Sequence, residues 1–151
     1  MTEIVRARRI AAGQRAVWDV LADFGAISAW AGNVDHSCML RSDADGCAVG
    51  VTRRIQTGRI ALVERVVECD PPRALAYDIE GLPPRLRTVR NRWSLAPDGG
   101  AATVVALTTT VGIGPRPPQK LAERVVARVL AKQSDVMLAG IAAHLEASHD
   151  R

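Results

Sequence analysis

The chain has 151 residues, 48% hydrophobic and 24% charged, with a formal net charge of +4 and a sequence pI of about 9.5. That length suits one domain with one core, residues 1–151, and the composition is that of an ordinary soluble globular protein. A membrane-spanning helix is excluded, since no run of eighteen apolar residues occurs, and Met1-Thr2-Glu3-Ile4-Val5-Arg6 lacks a signal-peptide apolar stretch, so the expected compartment is the cytoplasm.

Glu3 to Ala12 mix apolar and basic residues over a strand's length until Gly13 breaks the pattern. In the short helix that follows, Val17, Leu21 and Phe24 recur at helical spacing with Trp18 and Val20 on its flanks, and Gly25 ends it. A second short helical piece, Ala26 to Trp30, closes at Gly32-Asn33. From Val34 to Val111 strands alternate with turn signals. Val34 to Arg41 stops at Ser42-Asp43-Ala44-Asp45-Gly46. Val51 to Glu64 reads as a hairpin turning at Thr57-Gly58, with Gln56 opposite Arg59, and its second strand continues to Asp70-Pro71-Pro72.

That register sets Ile55 across from Ile60, Arg53 across from Leu62 and Val51 across from Glu64, so Arg53 and Glu64 are diagonal neighbours on an apolar face with Val66. Charges there have two readings. Either the ions satisfy each other, or they point into a cavity where something binds.

Ala74 to Glu80 places Leu75, Tyr77 and Ile79 on one face and stops at Gly81-Leu82-Pro83-Pro84. Leu86 to Leu95 ends at Pro97-Asp98-Gly99-Gly100, and Thr103 to Val111 is the most β-branched stretch of all. Short turns between consecutive strands give an antiparallel meander. Pro115, Pro117 and Pro118 then open a helix running to about Ala147, roughly 40 Å long at 1.5 Å per residue. Its apolar stripe reads as Ala122, Val125, Val126, Val129, Gln133, Val136, Met137, Gly140, Ile141 and His144, with Lys120, Glu123, Arg124, Ala127 and Asp135 largely opposite. The fold class is α+β: a curved antiparallel sheet of about six to seven strands wrapped around one long C-terminal helix, with two short helices after the first strand. Such a sheet gripping one helix tends to leave a gap for an apolar ligand.

Cys38, Cys47 and Cys69 form no Cys-x-x-Cys pair, and His36, His144 and His149 have no metal-ligand spacing, so neither a metal nor a cofactor is expected. The basic residues are dispersed, eighteen of the twenty being arginines, and five aromatic residues give little material for base stacking, so nucleic acid is not the expected partner. Arg85, Arg87, Arg90 and Arg92 divide between two faces of a strand and read as a solvated edge.

The segments Val17-Trp18-Asp19-Val20-Leu21-Ala22-Asp23-Phe24 with Trp30 downstream, Gly50-Val51-Thr52-Arg53, Glu64-Arg65-Val66 before Asp70-Pro71-Pro72, and Tyr77-Asp78-Ile79 carry a resemblance in their order and spacing. The chain resembles the START-like or helix-grip superfamily of polyketide cyclases, aromatases, lipid-transfer domains and pollen allergens, and within it the bacterial polyketide cyclase or dehydrase-like proteins. A weaker likeness to the abscisic acid receptors lacks their ligand-anchoring lysine, the only lysines being Lys120 and Lys132. In these relatives the positions matching Arg53, Glu64, Tyr77 and Ile79 tend to face the cavity, as do helix positions near Gln133 and Met137.

The expected ligand-facing set is therefore Arg53, Ile55, Leu62, Glu64, Tyr77, Ile79, Val89, Asn91, Trp93, Gln133 and Met137. The leading expectation is binding of a small hydrophobic molecule (lipid, polyketide or isoprenoid-like) by a monomer or homodimer. One alternative is a polyketide cyclase, aromatase or dehydratase acting on a poly-β-ketone. There Arg53 or Tyr77 polarises a carbonyl while His36 or Glu64 moves a proton. Another is a protein-interaction or toxin-antitoxin-type module, which predicts an exposed apolar patch instead of a closed cavity.

Overall fold

The structure, a computed structural model, describes residues 1–42 and 48–149; the expected turn through Asp43-Ala44-Asp45-Gly46, and Cys47, lie outside the described residues. The elements are β1 (Thr2–Ile10), α1 (Gln14–Ala22), a 3₁₀ turn (Phe24–Ala29), β2 (His36–Arg41), β3 (Thr52–Thr57), β4 (Ile60–Asp70), β5 (Ala74–Glu80), β6 (Thr88–Pro97), β7 (Thr103–Gly112) and α2 (Pro117–His149). Among the described residues the seven strands form one antiparallel sheet in the order β1-β7-β6-β5-β4-β3-β2. The meander is thus closed at one edge by the first strand, and α2 packs on β1 and β7. This is the expected helix-grip architecture.

Period-two alternation decides what each strand buries. Val89, Asn91, Trp93 and Leu95 of β6 and Thr103, Val105, Leu107, Thr109 and Val111 of β7 are buried, with more exposed residues between them. On the outer face Arg90 pairs with Asp78 at 2.6 Å, and Arg92 reaches Glu68 at 2.8 Å across the intervening Ala76. These exposed pairs contribute little to stability. In β4 the pairing skips Val67, because Val66 faces Tyr77 while Glu68 faces Ala76, and such a bulge bends a strand.

The hairpin turns one residue later than expected. Thr57 pairs with Ile60 across a two-residue Gly58-Arg59 loop, with Ile55 opposite Leu62 and Arg53 directly opposite Glu64. Gly58 takes φ +60° and Arg59 has no positive φ, the pattern of a II′ turn with glycine first. The Gly58 amide donates to Asp35 Oδ2 at 2.7 Å, which fixes the loop from outside the hairpin. Relative to the expectation every pair slips by two residues, so each side chain keeps its face and only its partner changes.

A larger correction concerns α2. Its buried face is Glu123, Ala127, Ala131, Ser134, Met137, Leu138, Ile141, Ala142 and Leu145, whereas Val125, Val129, Val136, Gln133 and His144, all assigned to the stripe, are exposed. The cause is Glu123, expected on the opposite side and in fact 1% exposed. Its Oε2 accepts the amides of Ile113 at 2.7 Å and Gly114 at 3.2 Å, while Oε1 accepts from Thr2 Oγ1 at 3.2 Å. Those amides, led by that of Ile113, hold its pKa down to about 2. Tying this carboxylate to the β7–α2 bend fixes the roll of the helix, and alanines four and eight residues on then face the sheet.

Near the other end a Cβ at Gly140 would collide with the Trp30 carbonyl oxygen, so glycine permits the approach of α2 to the 3₁₀ segment. Trp18, expected on a flank of α1, is buried with Val17 and Leu21. Phe24 and Trp30 then stand edge-on to Tyr77 and Trp93, with ring centres 5.5 and 5.7 Å apart.

Candidate functional site

Between the sheet and α2 lies a hollow of about 300 Å³. Ile27 and Val34 contribute from the segment between α1 and β2, and Ile55, Leu62 and Ile79 form the sheet wall with Leu82 beside them. Val129, Leu130, Gln133 and Met137 come from α2, and Val129, Gln133 and Ile60 are exposed there. The polar groups on the wall are Asn33, Thr57, Glu64, Asn91, Thr109, Gln133 and Ser134. A mostly apolar hollow with a few convergent polar groups is the usual form of a small-molecule site.

Arg53 and Glu64 are 2% and 3% exposed. Arg53 Nε donates to Glu64 Oε1 at 2.7 Å, and Nη2 makes an ionic contact with the same oxygen at 2.6 Å without hydrogen-bond alignment. Nη1 donates to the Phe24 carbonyl at 2.9 Å. The guanidinium lies 3.7 Å from the centre of the Phe24 ring and 4.6 Å from that of Tyr77, a cation between two π faces. Arg53 is thus enclosed behind the wall and Glu64 stands on it.

Tyr77 is 1% exposed and also lies behind the wall. Its hydroxyl accepts from Trp93 Nε1 at 3.3 Å and Asn91 Nδ2 at 3.5 Å. Burial, with the Glu64 charge adding to it, pushes the phenol above its ordinary value, so it stays protonated at neutral pH. From Asn91 the network runs to the cavity floor. Thr109 Oγ1 donates to Asn91 Oδ1 at 2.7 Å and lies 3.3 Å from Ser134 Oγ, which donates to the Leu130 carbonyl at 3.2 Å.

The structure therefore brings Ile55, Leu62, Glu64, Ile79, Asn91, Gln133 and Met137 together around the hollow. Arg53, Tyr77, Val89 and Trp93 point inward but are packed behind that surface. His36 pairs with Gln56 on an exposed part of β2, beside the inward Ser37, and is not on the cavity wall. Of the polar wall residues, sequence reasoning missed Asn33, Thr57, Thr109 and Ser134. Thr109 was signalled by a hydroxyl at an inward position of β7. Ser134 carried the signal of helical spacing from Glu123 through Ala127 and Ala131. Among the described residues no cluster of three or more His, Cys, Asp or Glu is placed to hold a metal, and no helix is long and apolar enough to cross a membrane.

A bent antiparallel sheet closed over an apolar hollow by one long helix defines a helix-grip cavity protein. Residues 1–146 match the model of the family described as polyketide cyclase / dehydrase and lipid transport, and the chain belongs to that family. Its fold is similar to that of the Zhui aromatase/cyclase from Streptomyces sp. R1128, at 18% identity and a TM-score of 0.78, covering 96% of this chain and 93% of that one. A START superfamily protein from Mycobacterium smegmatis has 15% identity and a TM-score of 0.76, covering 95% and 97%. The two-domain aromatase/cyclase BexL of the BE-7585A biosynthetic pathway has 17% identity and a TM-score of 0.79, covering 97% of this chain and 47% of BexL. Comparison with curated proteins gives no match.

Proposed function

We propose that the chain encloses one small, mostly apolar molecule between the sheet and α2, with its polar end against Glu64, Asn91, Thr109 and Ser134. The observation that carries this reading is the hollow of about 300 Å³, apolar along most of its wall and polar at that cluster. The volume is at the low end for small-molecule sites, which suits a fused-ring or short-chain compound such as a polyketide fragment or isoprenoid. Burying about 200 Å² of apolar ligand surface at about 25 cal/mol per Å² supplies about 5 kcal/mol before ordering costs, against the roughly 8 kcal/mol net that micromolar affinity requires, so the polar contacts carry a large share of any tight binding.

A cyclase or dehydratase needs an acid and a base facing one substrate. Glu64 is engaged by Arg53, Tyr77 lies behind the wall and His36 is away from the cavity, so binding is the better supported reading. Native mass spectrometry of gently purified protein, followed by solvent extraction, tests it. A reproducible mass increment that extracts as one apolar compound is expected. Spectra of empty protein that also takes up no added fused-ring ligand would sink the reading.

A further inference from the structure

We infer that the cavity selects a neutral ligand that donates a hydrogen bond, an alcohol or phenol, over its carboxylate or ether counterpart. The inference rests on the binding reading above and concerns which proton-bearing groups are left over at the wall. Two of the wall's hydroxyl protons are already committed within the protein: Thr109 donates to Asn91 and Ser134 to the Leu130 carbonyl. An Asn91 amide proton points to the Tyr77 hydroxyl. Thr109 and Ser134 therefore offer a ligand only lone pairs, while the donors left on the wall are the second Asn91 amide proton, Thr57 at the end of β3, the Asn33 amide and the exposed Gln133.

Two further acceptors lie at the same surface. Both short contacts from Arg53 converge on Oε1 of Glu64, so Oε2 takes no share in them, and Glu64 is a wall residue. Asn33, also on the wall, has a buried Oδ1 with no hydrogen-bond partner, and a rotation of its carboxamide would offer that oxygen to a ligand. A buried acceptor without a donor is costly, and a ligand that supplies the donor gains what the empty site forgoes.

Charge sharpens the choice. Among the described residues no Lys, Arg or His lines the hollow, and the enclosed Arg53 is already committed to Glu64 and the Phe24 carbonyl. A ligand carboxylate would therefore be desolvated beside another carboxylate with no cation of its own. Beside Glu64, Thr109 and Ser134 an ether or ester brings lone pairs to groups that have no proton left to give. A hydroxyl brings the proton that Glu64 and Asn33 can accept, and it remains uncharged.

The test uses three probes of one ring system, 2-naphthol, 2-methoxynaphthalene and 2-naphthoate, titrated calorimetrically into the intact protein at pH 7. 2-Naphthol is expected to bind about tenfold more tightly than the methyl ether, the ratio of one hydrogen bond to a charged acceptor, and 2-naphthoate more weakly than either. Asn33→Leu, at a half-buried loop position, is expected to reduce the naphthol-to-ether ratio about threefold. Equal affinities for naphthol and ether, or a preference for naphthoate, overturn the inference and leave the binding reading standing. Failure of all three to bind overturns both. A ratio unchanged in folded Asn33→Leu removes Asn33 from the assignment.

Discussion

Arg53 Nη1 donates to the backbone carbonyl of Phe24 at 2.9 Å while its guanidinium lies 3.7 Å from the centre of the same residue's ring. One β3 side chain thereby holds the 3₁₀ turn by its backbone and its ring, and balances Glu64 at the same time. Arg53→Met should strand Glu64 and destabilise the protein by about 3–5 kcal/mol, whereas Arg53→Met with Glu64→Leu should recover most of that loss. Urea unfolding midpoints decide it. A single substitution that weakens ligand binding and leaves stability intact would make Arg53 a ligand anchor instead.

The carboxyl of Glu123 supplies a pH dependence. Its folded pKa, about 2, lies below the ordinary value of 4.5, so its contribution to stability is complete above the ordinary carboxylate range and is lost as pH falls from there toward 2. Glu123→Gln should lower stability at neutral pH and flatten the acid limb of the profile. Urea midpoints at a series of pH values between neutrality and pH 2, for both proteins, measure this. Parallel acid limbs would assign the acid sensitivity to other carboxylates.

Gln133 is an exposed wall residue at the edge of the hollow, so enlarging it narrows the entrance without disturbing the core. Gln133→Trp should change stability by no more than about 0.5 kcal/mol and slow both entry and release of 2-naphthol in stopped-flow experiments. Unchanged rates would place the entrance elsewhere.

Glycine in a helix interior normally favours replacement, since alanine gains about 1 kcal/mol there. Gly140 reverses that preference because the added Cβ meets the Trp30 backbone. Gly140→Ala should therefore destabilise by about 1–3 kcal/mol, while Gly100→Ala, where a Cβ has open space, should be close to neutral. A thermal melt of each variant gives the comparison, and a stabilised Gly140→Ala would show that the two segments separate easily.

Strand identity was legible because β-branched and alternating runs were punctuated by glycine and proline, as at Ala74–Glu80, where strand and expectation coincide. The inward faces of Arg53, Ile55, Leu62 and Glu64 survived a wrong register because the error was two residues, one full period of a strand. The roll of α2 was not legible. Valines at 125, 129 and 136 outweigh Glu123 in any count of hydrophobicity, and the amides that satisfy Glu123 belong to a bend whose geometry the helix sequence does not contain. Alternation likewise showed that Tyr77, Val89 and Trp93 point inward. Whether an inward residue meets packed atoms or an empty hollow depends on α2 and the 3₁₀ turn, far away in the chain.

Pairing of β1 with β7 joins residues roughly a hundred positions apart, whereas each hairpin from β3 to β7 joins near neighbours. Long-range pairing carries the larger loop-closure entropy, so β1 is the strand expected to dock last during folding. Pulse-labelled hydrogen exchange would then protect the amides of β5 and β6 before those of β1. Since the cavity wall runs from Ile27 to Met137 and takes nothing from β1, a chain still awaiting its first strand would already possess the lining of its binding site. What it would lack is the clasp: Thr2 reaching Glu123, and β1 beneath the helix, hold α2 in place over the sheet.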